Sequence, residues 1–278
     1  MLSCRVIQLP QGRSVLRPWD FQTETPMSTL RRLFSIEPLT ETGAVIRLDP
    51  GESHHGRHVL RFGAGDRVVV FDGAGRQFAA TVERFENKRL VVALAEPVRA
   101  APEAPVPIAL YLSLVKGETF DNVLQRAVEL GAAKIVPFIA ARSVPTVGRG
   151  AALERKIKRW QQILLSAAKQ CGRACLTAIT PPVPFANAVR QADERAVRFC
   201  CVPDPAAPEM SKMLIVLKPS LAQSLALMIG PEGGLTPDEI AAARQSDWHL
   251  VSLGPRTLRV ETAATAALTL ILAALEEM

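Results

Sequence analysis

The sequence predicts a two-domain α/β protein, a small β-barrel followed by a larger domain built on a mainly parallel sheet. Three observations predict it. Residues 28–97 alternate short β-branched runs with turn-formers. Residues 99–107 then place three prolines within six positions and read as an extended linker. From Ile108 onward, strand-like runs alternate with helical stretches, the pattern of a parallel sheet covered on both faces.

Taken in order, residues 1–27 show little periodicity and end at Thr25-Pro26-Met27. They read as a flexible tail, with Met27 as the natural initiator. In 28–98 the strands are Ala44–Leu48, Arg67–Phe71, Phe78–Val82 and Leu90–Leu94, split by Asp72-Gly-Ala-Gly75 and Asn87-Lys88. A short helix is expected over His54–Arg61. After the linker, a strand over Ile108–Val115 leads to an amphipathic helix over Thr119–Leu130, which Gly131 ends. Lys134–Ile139 is a strand and Leu153–Gln170 a long basic helix. Further strands follow at Ala196–Val202, Leu225–Ile229 and His249–Leu253. Thr262–Leu275 is apolar nearly all round and must be buried nearly all round, either in the core or partly against a second subunit.

Composition narrows the function. Of 278 residues, 48% are hydrophobic and 22% charged, which is ordinary globular usage and argues against disorder or coiled coil. No uninterrupted apolar run is long enough to cross a bilayer, so a membrane partner is not expected. Five cysteines without a CxxC pair, and four histidines, argue against a structural zinc site. His54 and His58 share helical i, i+4 spacing, but no HExxH glutamate accompanies them, so no metal is expected. Cys171, Cys175, Cys200 and Cys201 read as free thiols of a reducing cytoplasm.

Ligands of open parallel sheets bind outside the carboxyl ends of strands. Two loops stand there. The first is Ile229-Gly-Pro-Glu-Gly-Gly-Leu235, followed by Thr236-Pro-Asp-Glu239, which reads as a capping box. Its glycines let backbone amides approach a ligand, although a tight turn into a helix would look the same. Neither a P-loop nor a dinucleotide fingerprint is present. The second is Leu253-Gly-Pro-Arg-Thr-Leu-Arg-Val-Glu-Thr-Ala263, where two arginines and a glutamate crowd the entry to an apolar helix. A purely structural reading pairs Arg256 or Arg259 with Glu261.

Together these loops resemble the SPOUT superfamily of S-adenosylmethionine-dependent RNA methyltransferases, and within it the 16S ribosomal RNA uracil-N3-methyltransferase family. Lys116-Gly117, Gln125–Gly131, Arg142-Ser143, Arg159-Trp-Gln161, Gln170–Arg173 and, upstream, His54-His55, Val59-Leu-Arg61 and Gly65-Asp66 extend the resemblance over about 28–278. Thr257 stands where isoleucine is usual, and 203–222 is longer than the common form. The resemblance implies an N-terminal PUA-like barrel (28–98) and a trefoil-knotted methyltransferase domain (108–278). It also implies a homodimer, S-adenosylmethionine as cofactor, and one uridine near the 3′ end of the small-subunit RNA as target. Cofactor would lie on Ile229, Gly230, Pro231, Glu232, Gly233, Gly234, Leu253, Gly254, Arg256, Leu258 and Thr262.

Methylating uridine N3 requires removing a proton and stabilising charge on O2 and O4. Arg259 is the candidate for the charge, Glu261 for orienting it or taking the proton, and Glu232 is the rival base. RNA contacts are expected from His55, Arg61, Lys116, Arg142, Arg155, Lys156, Arg159 and Arg173. Charge points to RNA independently. Between Arg142 and Arg173, eight basic residues face only Glu154, so this stretch is net +7 and the rest of the chain −1. Other readings are methylation of another base or a ribose 2′-hydroxyl, or a non-catalytic RNA-binding assembly factor.

Overall fold

A computed structural model describes residues 30–144, 148 and 150–278. The tail expected over 1–27, with Met27 as initiator, and Arg149 of the basic stretch lie outside the described residues.

The first sheet gathers β1 (Arg32–Phe34), β2 (Val45–Arg47), β3 (Arg67–Phe71), β4 (Gln77–Glu86) and β5 (Arg89–Pro97) in the order β1-β3-β4-β5-β2. β1 runs parallel to β3, and the other pairs are antiparallel. Register shifts at Phe78/Ala80 and Val82/Arg84 bend β4, so that Leu33, Val68, Val70, Val82, Leu90 and Val92 close around one core. The expected strands are all present. The short helix, α1 (Pro50–His58), begins four residues earlier than its expected start, because Asp49 caps it by accepting from the Gly51 and Glu52 amides.

The second sheet is wholly parallel. It contains β6 (Ile108–Ser113), β7 (Lys134–Ile139), β8 (Ala178–Ile179), β9 (Val183–Pro184), β10 (Ala196–Cys201), β11 (Ser224–Ile229) and β12 (His249–Val251). The order is β12-β10-β11-β6-β7-β8, with β9 also on β7. Alternate residues serve opposite faces. Leu110 and Leu112 join the core beneath α2 (Gly117–Glu129), α3 (Ala151–Cys171) and α7 (Val260–Ala274), whereas Tyr111 joins the one beneath α4 (Phe185–Arg190) and α6 (Pro237–Gln245). α2 buries Phe120, Val123, Leu124, Ala127 and Val128, the i, i+3, i+4 stripe its sequence shows. The rings of Phe120 and Trp160 lie 4.7 Å apart and join α2 to α3. Gly131, at φ +76°, takes the left-handed conformation that ends α2.

Two segments carry more structure than the sequence shows. The 99–107 segment is extended but anchored: Val106 is buried, the Arg99 carbonyl accepts from Gln77 Nε2, and Glu103 binds Arg173. The 203–222 stretch contains α5 (Met210–Leu217), packed against α7. It braces β12 as well, because the Ser252 amide donates to Pro208 and the Met210 amide donates to Ser252.

Candidate active site

β11 lies between β10 and β6, and β12 lies on the far side of β10. This order brings three strand ends together at the carboxyl edge. A cavity of about 480 Å³ opens there, lined by Cys201–Asp204 after β10, Ile229–Leu235 after β11 and Ser252–Val260 after β12, except Pro255. Ile240, Ala263 and Arg142 complete the wall.

The local sequence builds each side. The loop after β11 turns back through a Gly234-to-Pro231 hydrogen bond of 2.8 Å and enters α6 at the capping box. Thr236 Oγ1 accepts from the Glu239 amide, and Glu239 Oε2 accepts from the Thr236 amide. After β12, Ser252 Oγ donates to the Gly254 carbonyl and accepts from its amide, which shapes the turn. Gly254 sits at φ +112°, and an added Cβ would meet no atom within 4 Å, so only the missing side chain keeps that space open. Gly234, at φ +67°, is the same.

Every expected cofactor contact lines the cavity except Thr262, which lies exposed on the first turn of α7. Of the three candidate catalytic residues, Arg259 and Glu232 are on the wall. Glu261 is not; it is the second residue of α7, half-buried, between the wall residues Val260 and Ala263. Among the described residues neither Arg256 nor Arg259 forms an ion pair, so the purely structural pairing with Glu261 is absent.

Cys201, Val202, Pro203 and Asp204 were missed by the sequence reading. The Pro203-Asp204-Pro205 turn after a predicted strand was the available signal, but only the strand order shows that β10 stands between the other two strand ends. Burial and the neighbouring Cys200 push the Cys201 thiol up, and burial pushes Cys200 up to about 12, which favours the neutral thiol in both.

The expected RNA contacts divide. His55, Arg61, Lys116, Arg142 and Arg155 are exposed. Lys156 lies over the Trp160 ring, with Nζ 5.3 Å from its centroid. Arg159 is exposed but already paired with Asp121 of α2. Arg173 corrects the expectation outright. It is 5% exposed and is held by both carboxylate oxygens of Glu103, the Val128 and Ala132 carbonyls and Thr177 Oγ1. A guanidinium so placed cannot reach a phosphate. Lys169, in the same stretch, pairs with Glu52 of α1. Among the described residues, the cations of α3 that form no ion pair are therefore Arg155, Lys156 and Lys158, all in its first half.

A family model described as an RNA methyltransferase domain matches residues 102–272, and one described as an RNA methyltransferase PUA domain matches 48–94. The chain belongs to the RNA methyltransferase family. Among similar members of this family is the ribosomal RNA small subunit methyltransferase E of Synechocystis. It is 32% identical over 234 residues, which are 84% of this chain and 74% of that protein. A Legionella pneumophila methyltransferase in complex with S-adenosylmethionine is 31% identical, with a TM-score of 0.80 over 88% of this chain and 98% of that one. The Neisseria gonorrhoeae ribosomal RNA small subunit methyltransferase E, bound to S-adenosylmethionine, is 27% identical with a TM-score of 0.79 over 88% and 97%. The parallel sheet is thus the methyltransferase domain of an RNA methyltransferase, and the first sheet its PUA-like domain.

The cavity suits an adenosine-bearing cofactor. Its volume falls within the ~300–1,000 Å³ of small-molecule sites. Ile229, Leu235, Leu253 and Leu258 supply apolar wall, and Gly230, Gly233, Gly234 and Gly254 let a ligand approach the loop backbone without intervening side chains.

Proposed function

We propose that the chain transfers a methyl group from S-adenosylmethionine to N3 of a uridine in 16S ribosomal RNA, with the small ribosomal subunit as substrate. The observation that carries the reading is the cavity formed by both glycine loops at the ends of β11 and β12, the strands on either side of β10, with Arg259 and Glu232 on its wall. S-adenosylmethionine supplies an electrophilic methyl on a sulfonium, so the protein's task is positioning and proton removal.

Backbone groups of Ile229–Gly234 and Leu253–Leu258 hold the cofactor, and the apolar side chains among them exclude water. Arg259, at the N-cap of α7 and on the wall, stabilises the negative charge that spreads over O2 and O4 as N3 loses its proton. Glu232, which shares the wall with the carboxylate of Asp204, takes that proton, a role Glu261, off the wall, is less well placed to fill.

The Watson–Crick edge carries N3, so the target base enters unstacked. α3 spans 21 residues, about 31 Å. Arg159 meets Asp121 near the start of α2, whereas Arg173 meets Val128 near its end. The first half of α3 therefore lies toward the cavity edge and its end toward the PUA-like domain, which Glu52 contacts through Lys169. RNA that reaches both the cavity and His55 or Arg61 of one chain must follow α3 for about its full length, passing Arg155, Lys156 and Lys158. A homodimer, with the exposed Ile215, Val216 and Leu221 as candidate contact surface, and a cytoplasmic location belong to the same proposal. No helix among the described residues is long and apolar enough to cross a membrane.

The test is methyl transfer from labelled cofactor to small subunits of a strain lacking this gene, followed by nucleoside mapping. N3-methyluridine is expected. A 2′-O-methyl product, or no transfer alongside normal RNA binding, would overturn the assignment. In the same assay Arg259→Ala and Glu232→Gln should each lower the rate constant by 10²-fold or more with cofactor affinity retained, in line with the usual size of such effects.

A further inference from the structure

Resting on the cofactor reading above, we propose that Glu239 is a positioning residue for the cavity and does more than cap α6. Its two carboxylate oxygens serve different parts of the chain. Oε2 accepts from the Thr236 amide at 2.8 Å, closing the capping box. Oε1 accepts from the Ala141 amide, also at 2.8 Å, across 98 positions of sequence. Ala141 belongs to the turn that follows β7, where the Ser143 amide donates to Ala140 and Ser143 Oγ accepts from the Ala140 amide. Ser143 Oγ also lies 2.9 Å from Ser113 Oγ at the end of β6.

Arg142, the next residue of that turn, is part of the cavity wall. Its Nη1 donates to the Gly233 carbonyl at 2.9 Å, and its side chain lies along the glycine loop. A Cβ at Gly233 would stand 3.3 Å from Arg142 Cβ and 3.5 Å from Cδ, so a larger residue would push the Arg142 side chain back by a few tenths of an ångström. Gly233 is not among the glycines of positive φ, so conformation does not call for glycine there. Two fastenings thus hold the β7 turn against the cofactor loop. The Arg142 contact is on the exposed wall, and the Glu239 contact sits behind it, off the cavity. A carboxylate can accept from both amides at once. A glutamine has one carbonyl oxygen and must leave one amide without it.

The structural alternative is that Glu239 is only a helix cap. Thr236→Ala separates the two, since it removes the Oγ1 bond to the Glu239 amide and leaves the Ala141 bond in place. We expect Glu239→Gln to weaken cofactor binding by calorimetry about 10-fold and to raise KM for the cofactor more than it lowers kcat. Amide exchange at Ala141 should quicken by at least 10-fold. Glu239→Asp should restore part of both. Thr236→Ala should lower Tm by a similar amount to Glu239→Gln yet leave cofactor affinity within 2-fold and Ala141 exchange unchanged. If both variants shift affinity, exchange and Tm in parallel, or if Glu239→Gln leaves Ala141 exchange unaltered, the proposal fails. The exchange measurement needs no cofactor. A wild-type protein that bound none would overturn the functional reading and leave the exchange comparison to decide the role of Glu239.

Discussion

Replacing Arg173 by alanine should destabilise the protein without changing its intrinsic affinity for RNA, the reverse of what its place in a basic run suggests. The side chain is 6% exposed, and its partner Glu103 is 34% exposed. Breaking a buried ion pair by removing one member typically costs about 3–5 kcal/mol, because the remaining charge is stranded. Here three features pull toward the lower figure. Glu103 is open enough to regain water. The Ala132 carbonyl keeps its bond from Thr177 Oγ1, and the Val128 carbonyl keeps its bond from the Gly131 amide. A loss of about 3 kcal/mol follows, which for a chain of this size is roughly 6–12 °C in Tm. Arg173→Lys should recover part of it, since an ammonium can pair with Glu103 but cannot reproduce the planar fork that also reaches two carbonyls. Urea unfolding monitored by circular dichroism gives the stability, and filter binding well below Tm gives the affinity. A variant within 0.5 kcal/mol of wild type, or one fully folded but weaker for RNA by 10-fold, would refute the assignment of Arg173 to the interior.

Replacing Arg155, Lys156 and Lys158 together by alanine should leave Tm within about 2 °C and flatten the dependence of log affinity on log salt by about 2, the release expected from three phosphate contacts to single-stranded RNA; an unchanged slope would move the RNA path elsewhere. Gly254→Val should abolish measurable cofactor binding by calorimetry, because a branched side chain at φ +112° is strained and fills the cavity mouth; retained affinity would show that the space there is not used. Asp72 gives a pH signature. Burial opposes its charge, yet bonds from the Ala74 amide, the Arg76 side chain and the Leu39 and Arg76 amides outweigh burial and hold its carboxyl below the ordinary 3.8. A depressed folded value means stability that is present above the unfolded value and lost as pH falls through the folded one. The difference in unfolding free energy between wild type and Asp72→Asn should therefore be steady above about pH 5 and shrink on acidification. A difference that widened in acid would contradict that sign.

Much of the local structure was legible because it rests on near neighbours in the chain. Gly131 ended α2 as expected, and the capping box Thr236–Glu239 formed with both of its bonds. The runs Arg67–Phe71 and Lys134–Ile139 became strands with those ends. What escaped were elements with too little sequence to carry a pattern. β1 has three residues, and β8 and β9 have two each around Pro181-Pro182; such strands exist because a neighbour offers an edge. α5 escaped because its exposed face carries Ile215 and Val216, which erases the amphipathic signal.

The cavity shows the same division. The two glycine loops were visible as loops, since glycine, proline and the residues that cap helices act within a few positions. Their convergence, the share of the loop after β10, the inward turn of Arg173 and the second bond of Glu239 all depend on which strand lies beside which. By itself the sequence determined the identity of the longer strands and of the helices with a clear apolar stripe or cap, the turn chemistry and the uneven distribution of charge, because those follow from backbone preference and periodicity. Only the tertiary structure decided which charges remain free for RNA and which lock the molecule together. A guanidinium is the same group in either role, and its surroundings are set by residues up to 141 positions away, as the Arg32 bond to Arg173 illustrates.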